Sequence, residues 1–421
     1  MKAKFETYPE YKDSGVKWLG EIPKGWELKR FKHFYYCSMG ETILANDLSE
    51  EGFPVYSATE EDVFFGRVEK RHIELSAGDL VIPARGNSIG FPKIVTQEST
   101  TTQTTIYAKM ANKIHPKFSY YYLLGCKPYI FRFVQTAIPQ ITVDEVKNNM
   151  FLQPSEDEQI AIANFLDDKV SKIDEAIAQK EQLIQLLNER KQIIIQNAVT
   201  KGLNPNAPMK DSGIEWIGKI PEHWGVVTNA TLFHETKIAG EEGLPVLSVS
   251  IHTGVSDNEL SAEENRHGAI KIADKTSYKL VETDDITFNM MRAWQGGLGR
   301  VPRKGLVSPA YIVAKPNEKI SSRFFELQSR TPLFIAEIDR ASKGITDFRK
   351  RLYWDEFKTL KTVLPPIKEQ NSIGTKIDEI DASISRASKD IDSQIDKLKE
   401  YKATLINSAV TGKINVANHG L

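Results

Sequence analysis

The chain has 421 residues, with 55 basic and 56 acidic side chains and a formal net charge of −1 at pH 7. That length exceeds one ordinary core and predicts two or more domains, while the near-zero charge singles out no partner. The two cysteines, Cys37 and Cys126, are too few for a disulfide framework or a multi-cysteine zinc site. No apolar run is long enough to span a membrane, so we expect a cytoplasmic protein without an anchor.

Residues 1–153 mix short β-like runs, such as DLVIPAR and TTIYAKM, with Gly, Pro and Asn turns, which predicts an α+β module. Two polar loops in it, RGNSIG (85–90) and TAIPQIT (136–142), carry side chains that suit DNA. Arginine can bond both guanine acceptors in the major groove, and Asn or Gln can bond adenine. The candidate DNA contacts of this module are Arg85, Asn87, Ser88, Lys93 and Gln140. A structural or phosphate-contacting role is the alternative for each of them.

Residues 86–90 also match Gly-x-Ser-x-Gly, the nucleophile elbow of hydrolases, with Ser88 as the nucleophile. That elbow requires a helix directly after the serine, and Pro92 disfavours one there. We therefore expect the match to be coincidental.

Residues 155–200 predict a long helix within a linker segment, 154–205. Ser155 and Glu158 form a capping-box pattern after Pro154, and apolar residues follow in alternating steps of four and three from Leu166 to Ala198. The apolar stripe predicts a coiled-coil seam that needs a partner helix.

Residues 206–363 predict a second α+β module, with runs such as GLPVLSVSI and AYIVAK. Its polar loops are MRAWQGGLG (291–299) and RASKGITDFRK (340–350). By the same reasoning the candidate DNA contacts here are Arg292, Trp294, Gln295, Lys343 and Arg349.

Residues 367–411, within a final segment 364–421, predict a second long helix with an equivalent seam from Ile373 to Ala409. The nearest partner for each seam is the other helix of the same chain, and pairing between two molecules is the alternative. Lys191 and Lys402 occupy equivalent seam positions, and we expect them to extend to the rim of the coil.

The sequence is an internal repeat of one whole unit. Residues 12–26, KDSGVKWLGEIPKGW, recur at 210–224 as KDSGIEWIGKIPEHW, and ERKQIIIQNAVT (189–200) recurs as EYKATLINSAVT (400–411). Isolated positions also correspond, namely Asp79 with Asp285, Lys109 with Lys315 and Phe118 with Phe324. The linkers of the two repeats are alike, whereas the modules between them have diverged. This pattern favours two equal scaffolds, each of which holds a module that recognises a different target. A tandem duplication without functional meaning is the alternative.

The matching half of each module is cationic. Residues 81–153 have eight basic and three acidic side chains, and residues 292–361 have fifteen and seven. A phosphate backbone requires such a surface, so the recurrence favours DNA binding over scattered surface charge.

No catalytic signature accompanies these features. We find no P-loop, no HExxH zinc motif, no dinucleotide-binding glycine fingerprint and no methyltransferase Asn-Pro-Pro-aromatic motif. The sequence therefore predicts a binding protein that is not itself an enzyme and holds no metal.

The repeated KDSGVKWLGEIPKGW, together with EDEQIAIANFLD, PPIKEQNSIG and the paired NAVTKGL and SAVTGKI, resembles specificity subunits of type I restriction–modification enzymes. The resemblance implies an α+β fold of two target recognition domains separated by an antiparallel two-helix coiled coil, with an internal pseudo-twofold repeat. It further implies a bipartite double-stranded DNA target and two methylation subunits and two restriction subunits as partners. S-adenosylmethionine, ATP and magnesium would belong to those partners, and none to this chain.

Three other readings stay open on the sequence alone. One is a specificity-like DNA adaptor for another defence complex or an orphan methylation complex. The others are a coiled-coil scaffold without DNA function, which the cationic halves disfavour, and a hydrolase using Ser88, which Pro92 disfavours.

Overall fold

The computed structural model describes residues 5–59, 63–131, 139–214, 217–256, 277–344 and 350–416. The chain divides into two compact units, one formed by Met1–Glu181 with Asp392–Leu421 and the other by Gln182–Ile391. Each unit therefore joins one predicted module to parts of both long helices. The four segments expected from the sequence remain a prediction, because each unit combines one module with the helical segments on which it packs.

The first unit is an α+β module with short strands that pair antiparallel, except for one parallel pair. Its strands are β1 (Tyr11–Asp13), β2 (Glu21–Pro23), β3 (Glu27–Arg30), β4 (Tyr35–Met39), β5 (Phe53–Tyr56), β6 (Gly66–Val68), β7 (Leu80–Pro83), β8 (Lys93–Ile94), β9 (Thr100–Thr101), β10 (Thr105–Met110) and β11 (Met150–Gln153). Its helices are α1 (Pro116–Ile130), α2 (Val143–Asn148), the first part of α3 (Glu156–Lys201) and the last part of α7 (Ile367–Val410). The central sheet has the order β4-β10-β7-β8, and a smaller sheet has the order β6-β5-β9, in which β5 and β9 are the parallel pair.

The second unit repeats this plan. Its strands are β12 (Met209–Asp211), β13 (Lys219–Pro221), β14 (Gly225–Thr228), β15 (Phe233–Thr236), β16 (Ser248–Ser250), β17 (Gly254–Ser256), β18 (Lys279–Val281), β19 (Ile286–Asn289), β20 (Leu298–Arg300), β21 (Gly305–Val307), β22 (Tyr311–Pro316) and β23 (Lys361–Leu364). Its helices are the last part of α3, α4 (Ser322–Ser329), α5 (Pro332–Ala341), α6 (Trp354–Phe357) and the first part of α7. The central sheet has the order β15-β22-β19-β20.

The two central sheets also agree in register, which confirms the internal repeat. Ile106 of β10 faces Ile82 of β7, and the matched Ile312 of β22 faces Phe288 of β19. Because a slip of one residue would turn every side chain to the other face, equal registers place the same positions of the repeat in each core.

Both long helices are present close to the predicted bounds. α3 begins after the predicted capping box, in which the Ser155 N–H donates to Glu158 Oε2 over 3.1 Å and the Glu158 N–H donates to Ser155 Oγ over 3.4 Å. These two bonds satisfy donors that the first helical turn cannot satisfy internally. The predicted start of the first long helix is therefore confirmed to within one residue.

The helices pair antiparallel within the chain, so the seam is intramolecular. In the first unit Lys402 Nζ lies 2.7 Å from the Asp174 carboxylate, and Lys180 Nζ lies 2.7 Å from Gln394 Oε1. In the second unit Lys191 forms an ion pair with Asp381. The two seam lysines thus extend to the rim, as expected, and each ends on a carboxylate of the facing helix.

A buried tryptophan ties each module to its long helices. In the first unit Trp26 Nε1–H donates to Glu158 Oε1 over 3.0 Å, at the start of α3. The same ring lies against Gly412, just after the end of α7, where φ is +72° and a Cβ would lie 2.4 Å from Pro23. Only glycine fits that position without strain.

The second unit repeats this arrangement around Trp224. Its Nε1–H donates to Glu369 Oε2 over 3.1 Å, at the start of α7, and Gly202 with φ +76° lies beside the ring at the end of α3. The matched tryptophans of the repeat are therefore structural anchors, buried to 1% exposure in both units.

Candidate nucleic-acid interface

The first candidate loop connects β7 to β8. Arg85 and Asn87 are exposed, and Arg85 forms an antiparallel bridge with Gln140, which is also exposed. The next residue along, Ile141, donates its N–H to Ala84 O over 3.0 Å. The structure thus brings together two loops that the sequence proposed separately, and three candidate side chains lie on one stretch of surface.

Two other candidates of the first module have structural roles. Ser88 is 5% exposed and its hydroxyl donates to Ala58 O over 2.8 Å. Lys93 is equally buried, and its ammonium donates to Thr59 Oγ1 over 2.6 Å. Because both side chains hold the end of β5 against the loop, we omit them from the interface.

The local backbone also removes the hydrolase alternative. Ser88 lies in a turn that leads into β8, not into a helix. A nucleophile elbow needs the strand–serine–helix geometry, and this segment lacks it.

The second candidate loop connects β19 to β20, the equivalent position in the second unit. Its centre is a single 3-10 turn, Ala293–Gln295, which ends at Gly296 with φ +93°. Arg292 is exposed and its Nη1 donates to Gln295 Oε1 over 2.9 Å. Trp294 is half-buried and donates its Nε1–H to Met291 O over 3.0 Å. Arg292 and Gln295 therefore present a polar pair, while Trp294 stabilises the loop.

The remaining two candidates contribute less. Lys343 is exposed, but its ammonium forms an ion pair with Glu356, and its backbone bridges Arg351. Arg349 lies outside the described residues.

The strand before each loop is preceded by an equivalent hydrogen bond between an aspartate carboxylate and the backbone. In the first unit Asp79 Oδ2 accepts the Ser76 N–H over 3.0 Å, just before β7. In the second, Asp285 Oδ2 accepts the Glu282 N–H over 2.8 Å, just before β19. Burial raises the pKa of Asp285, and the backbone hydrogen bond partly offsets that effect. The matched aspartates thus fix the strands from which the two different loops extend.

Part of the cationic charge counted in the sequence is neutralised by carboxylates of the long helices. Lys113 Nζ lies 2.7 Å from Glu156, and Lys117 forms an ion pair with Asp167 of α3. At the position matching Lys117, Arg323 Nε and Nη2 donate to Asp378 of α7 over 3.0 and 2.5 Å. The residue count could not separate these structural cations from those that remain at the surface.

Other kinds of site are not found in the described parts of the chain. No group of three or more His, Cys, Asp or Glu side chains there is placed to hold a metal ion. Of the described helices, none combines the length and the apolarity that crossing a bilayer would take.

Comparisons with known proteins agree with this architecture. Residues 23–186 match the family model described as the type I restriction modification DNA specificity domain. The chain is 24% identical over 441 residues to a putative type I restriction enzyme MjaX specificity subunit of Methanocaldococcus jannaschii, covering 96% of this chain and 98% of that protein. It is also 24% identical over 433 residues to the MjaVIII specificity subunit of the same organism, covering 97% and 98%.

A solved structure has the same fold. It comes from work on complex assembly and conformational transition of the type I R-M system, and it superposes with a TM-score of 0.64 at 12% identity. The superposition covers 92% of this chain and 98% of that one.

Proposed function

Because this chain belongs to the specificity subunits of type I restriction–modification enzymes, we propose that it reads a bipartite DNA target, one half with each module. One observation carries the proposal. The β7–β8 and β19–β20 connections occupy equivalent places on equivalent sheets, yet they expose different polar side chains. Two equivalent sheets that carry different loops suit a target whose two half-sites differ in sequence.

In the proposed mechanism Arg85, Asn87 and Gln140 contact one half-site, and Arg292 and Gln295 contact the other. An arginine can donate two hydrogen bonds to guanine O6 and N7, and an amide side chain can pair with adenine N6 and N7. Each exposed loop thus has donors for a purine edge in the major groove.

The partners of the proposed complex are two methylation subunits and two restriction subunits. The methylation subunits would use S-adenosylmethionine, and the restriction subunits would use ATP and magnesium. This chain would hold no cofactor and would act in the cytoplasm, where it directs the chemistry of its partners to one sequence.

We expect the chain alone to have no nuclease, methyltransferase or ATPase activity. The direct assay incubates purified chain with DNA and labelled S-adenosylmethionine, with and without a partner methylation subunit. Label should enter DNA only when both proteins are present. Methylation by this chain without a partner would contradict the proposal.

Mapping methylated adenines in cells that express the chain with its methylation subunit tests the bipartite target. The expected result is one motif with two specified halves and an unspecified gap. A single continuous motif, or methylation without sequence preference, would contradict the proposal that each module reads one half of the target.

A further inference from the structure

The outer face of the first central sheet carries an exposed aromatic ring beside a lysine. In the β4–β10 pair, Tyr36 lies directly opposite Lys109, and Ser38 lies opposite Tyr107. Tyr36 is 58% exposed, whereas its neighbours Tyr35 and Cys37 are fully buried. Side chains alternate along a strand, so Tyr36 and Lys109 lie on the face opposite to that of the buried Tyr35 and Cys37.

Two lysines lie near the two aromatic rings of this face, Tyr36 and Tyr107. Lys109 Nζ lies 6.0 Å from the centre of the Tyr107 ring, and Lys147 Nζ lies 6.0 Å from the centre of the Tyr36 ring. Next to Lys147, Asn148 Oδ1 accepts a hydrogen bond from the Arg30 guanidinium over 3.1 Å. We call Arg30, Tyr36, Lys109 and Lys147 the sheet-face patch.

The lysines of the sheet-face patch differ from those that pack on the long helix. Lys113 and Lys117 are paired with Glu156 and Asp167, whereas within the described residues no carboxylate forms an ion pair with Lys109 or Lys147. Like charges without counter-charges repel each other, and an anion bound at the surface would relieve that repulsion.

The second unit carries the same pair in the same register. His234 of β15 lies opposite Lys315 of β22, and both are exposed. The residue matching Lys147 is Lys358, whose charge is paired with Asp355 over 2.7 Å. Within the described residues the second copy thus has one lysine without an ion-pair partner beside a ring, Lys315, where the first has Lys109 and Lys147.

The position of the sheet-face patch favours DNA as its partner. Thr105, at the other end of β10, lies opposite Pro83, where β7 leads into the Arg85 loop. Lys109 is four residues further along, which is about 13 Å at ~3.3 Å per residue. The major groove is about 12 Å wide, so a loop in the groove and a patch at this distance can meet one duplex.

We propose that Lys109 and Lys147 beside Tyr36, and Lys315 beside His234, contact DNA phosphates and hold the duplex without reading its sequence. This inference rests on the proposed function, and it adds residues that none of the base-reading loops contains. Lysine and tyrosine are common donors to phosphate oxygens, and such contacts position a protein on DNA.

The test is the salt dependence of DNA binding by the chain assembled with its methylation subunit. Each phosphate contact contributes about 0.9 to the slope of log Kobs against log salt concentration. The double variant Lys109→Gln/Lys147→Gln should lower the steepness of that slope by about 1.8, and Lys315→Gln should lower it by about 0.9. The matched control is Lys113→Gln, in the same cationic half but paired with Glu156, and its slope should stay that of the unchanged protein.

A second readout separates backbone contact from base reading. The methylated motif of each lysine variant should be the same as that of the unchanged protein, because a phosphate contact carries no sequence information. Circular dichroism melting of the same variants checks that the sheet still folds.

Three results would overturn the inference. They are an unchanged salt slope in the double variant, a relaxed base at one motif position, or weaker assembly with the methylation subunit at an unchanged slope. The last would assign the patch to an acidic protein surface. In each case specific binding by the unchanged complex would leave the proposed function standing, whereas absence of any specific binding would reject the proposed function itself.

Discussion

In the first unit Trp26 reaches Glu158 at the start of α3, and in the second Trp224 reaches Glu369 at the start of α7, over nearly equal distances. The loops that follow β7 and β19 are not alike. The Arg85 loop is bridged to Gln140 from a distant segment, whereas the Arg292 loop closes on itself through Gln295. Contacts that attach the modules were kept after the duplication, and contacts that face outward were changed.

The contacts that support the two loops also differ between the two units. In the first unit the buried Lys93 ties β8 to the end of β5 through Thr59. In the second, Arg330 donates to Leu298 O over 3.0 Å and to His252 O over 2.5 Å, joining β20 to the β16–β17 turn. Burial lowers the pKa of Arg330. Each module therefore uses an inward-directed cation to support its loop, but takes it from a different element.

The largest expected effect tests whether the two tryptophan anchors are equal. Trp26→Ala and Trp224→Ala each remove a fully buried indole, and each should lower the free energy of unfolding by about 3–5 kcal/mol. Urea denaturation followed by circular dichroism measures this. Trp26→Phe keeps most of the ring volume but loses the N–H bond to the Glu158 carboxylate, and it should cost about 1.5–3 kcal/mol. A much smaller loss in one alanine variant than in the other would show that the anchors are not equivalent.

A smaller effect tests whether the two loops recognise bases in different half-sites. Arg85→Ala and Arg292→Ala should each cost about 1–3 kcal/mol of binding and relax one motif position, through loss of a guanine contact. Methylation mapping and binding to altered duplexes provide the measurement, and each variant serves as the control for the other. The two variants should affect different half-sites. Uniform weakening on all sequences would indicate phosphate contact, and unchanged binding in both would show that the reading loops are elsewhere.

The smallest effect concerns the ion pairs that join each module to a long helix. Lys117→Met and Arg323→Met should each lower the free energy of unfolding by less than about 1 kcal/mol, because the pairs are partly exposed. The loss should be greater for Arg323, which donates two hydrogen bonds to Asp378 and another to Glu326 over 2.7 Å. Thermal melting at low and high salt measures both, and salt should shrink the effects. Lys24→Met, in an exposed pair with Glu10, is the control and should change little.

The sequence determined the repeat, the two long helices and the places of the candidate loops. The capping box at Ser155 and the seam from Leu166 to Ala198 depend on residues three and four apart, which meet on one helix face whatever the rest of the chain does. The match of Trp26 with Trp224 needs no structure either, because it is a property of the order of residues. These local and periodic signals gave the helix bounds to within a residue.

Only the tertiary structure decided which polar side chains face outward. Ser88 lies next to Asn87 in the same loop and Lys93 begins β8 just after it, but contacts with Ala58 and Thr59 bury both side chains, whereas Asn87 is exposed. Lys109 and Lys113 are four residues apart, and of the two only Lys113 forms an ion pair within the described residues, because Glu156 of the long helix approaches it. Burial and ion pairing depend on residues distant in sequence, so a count of charges along the chain cannot predict them.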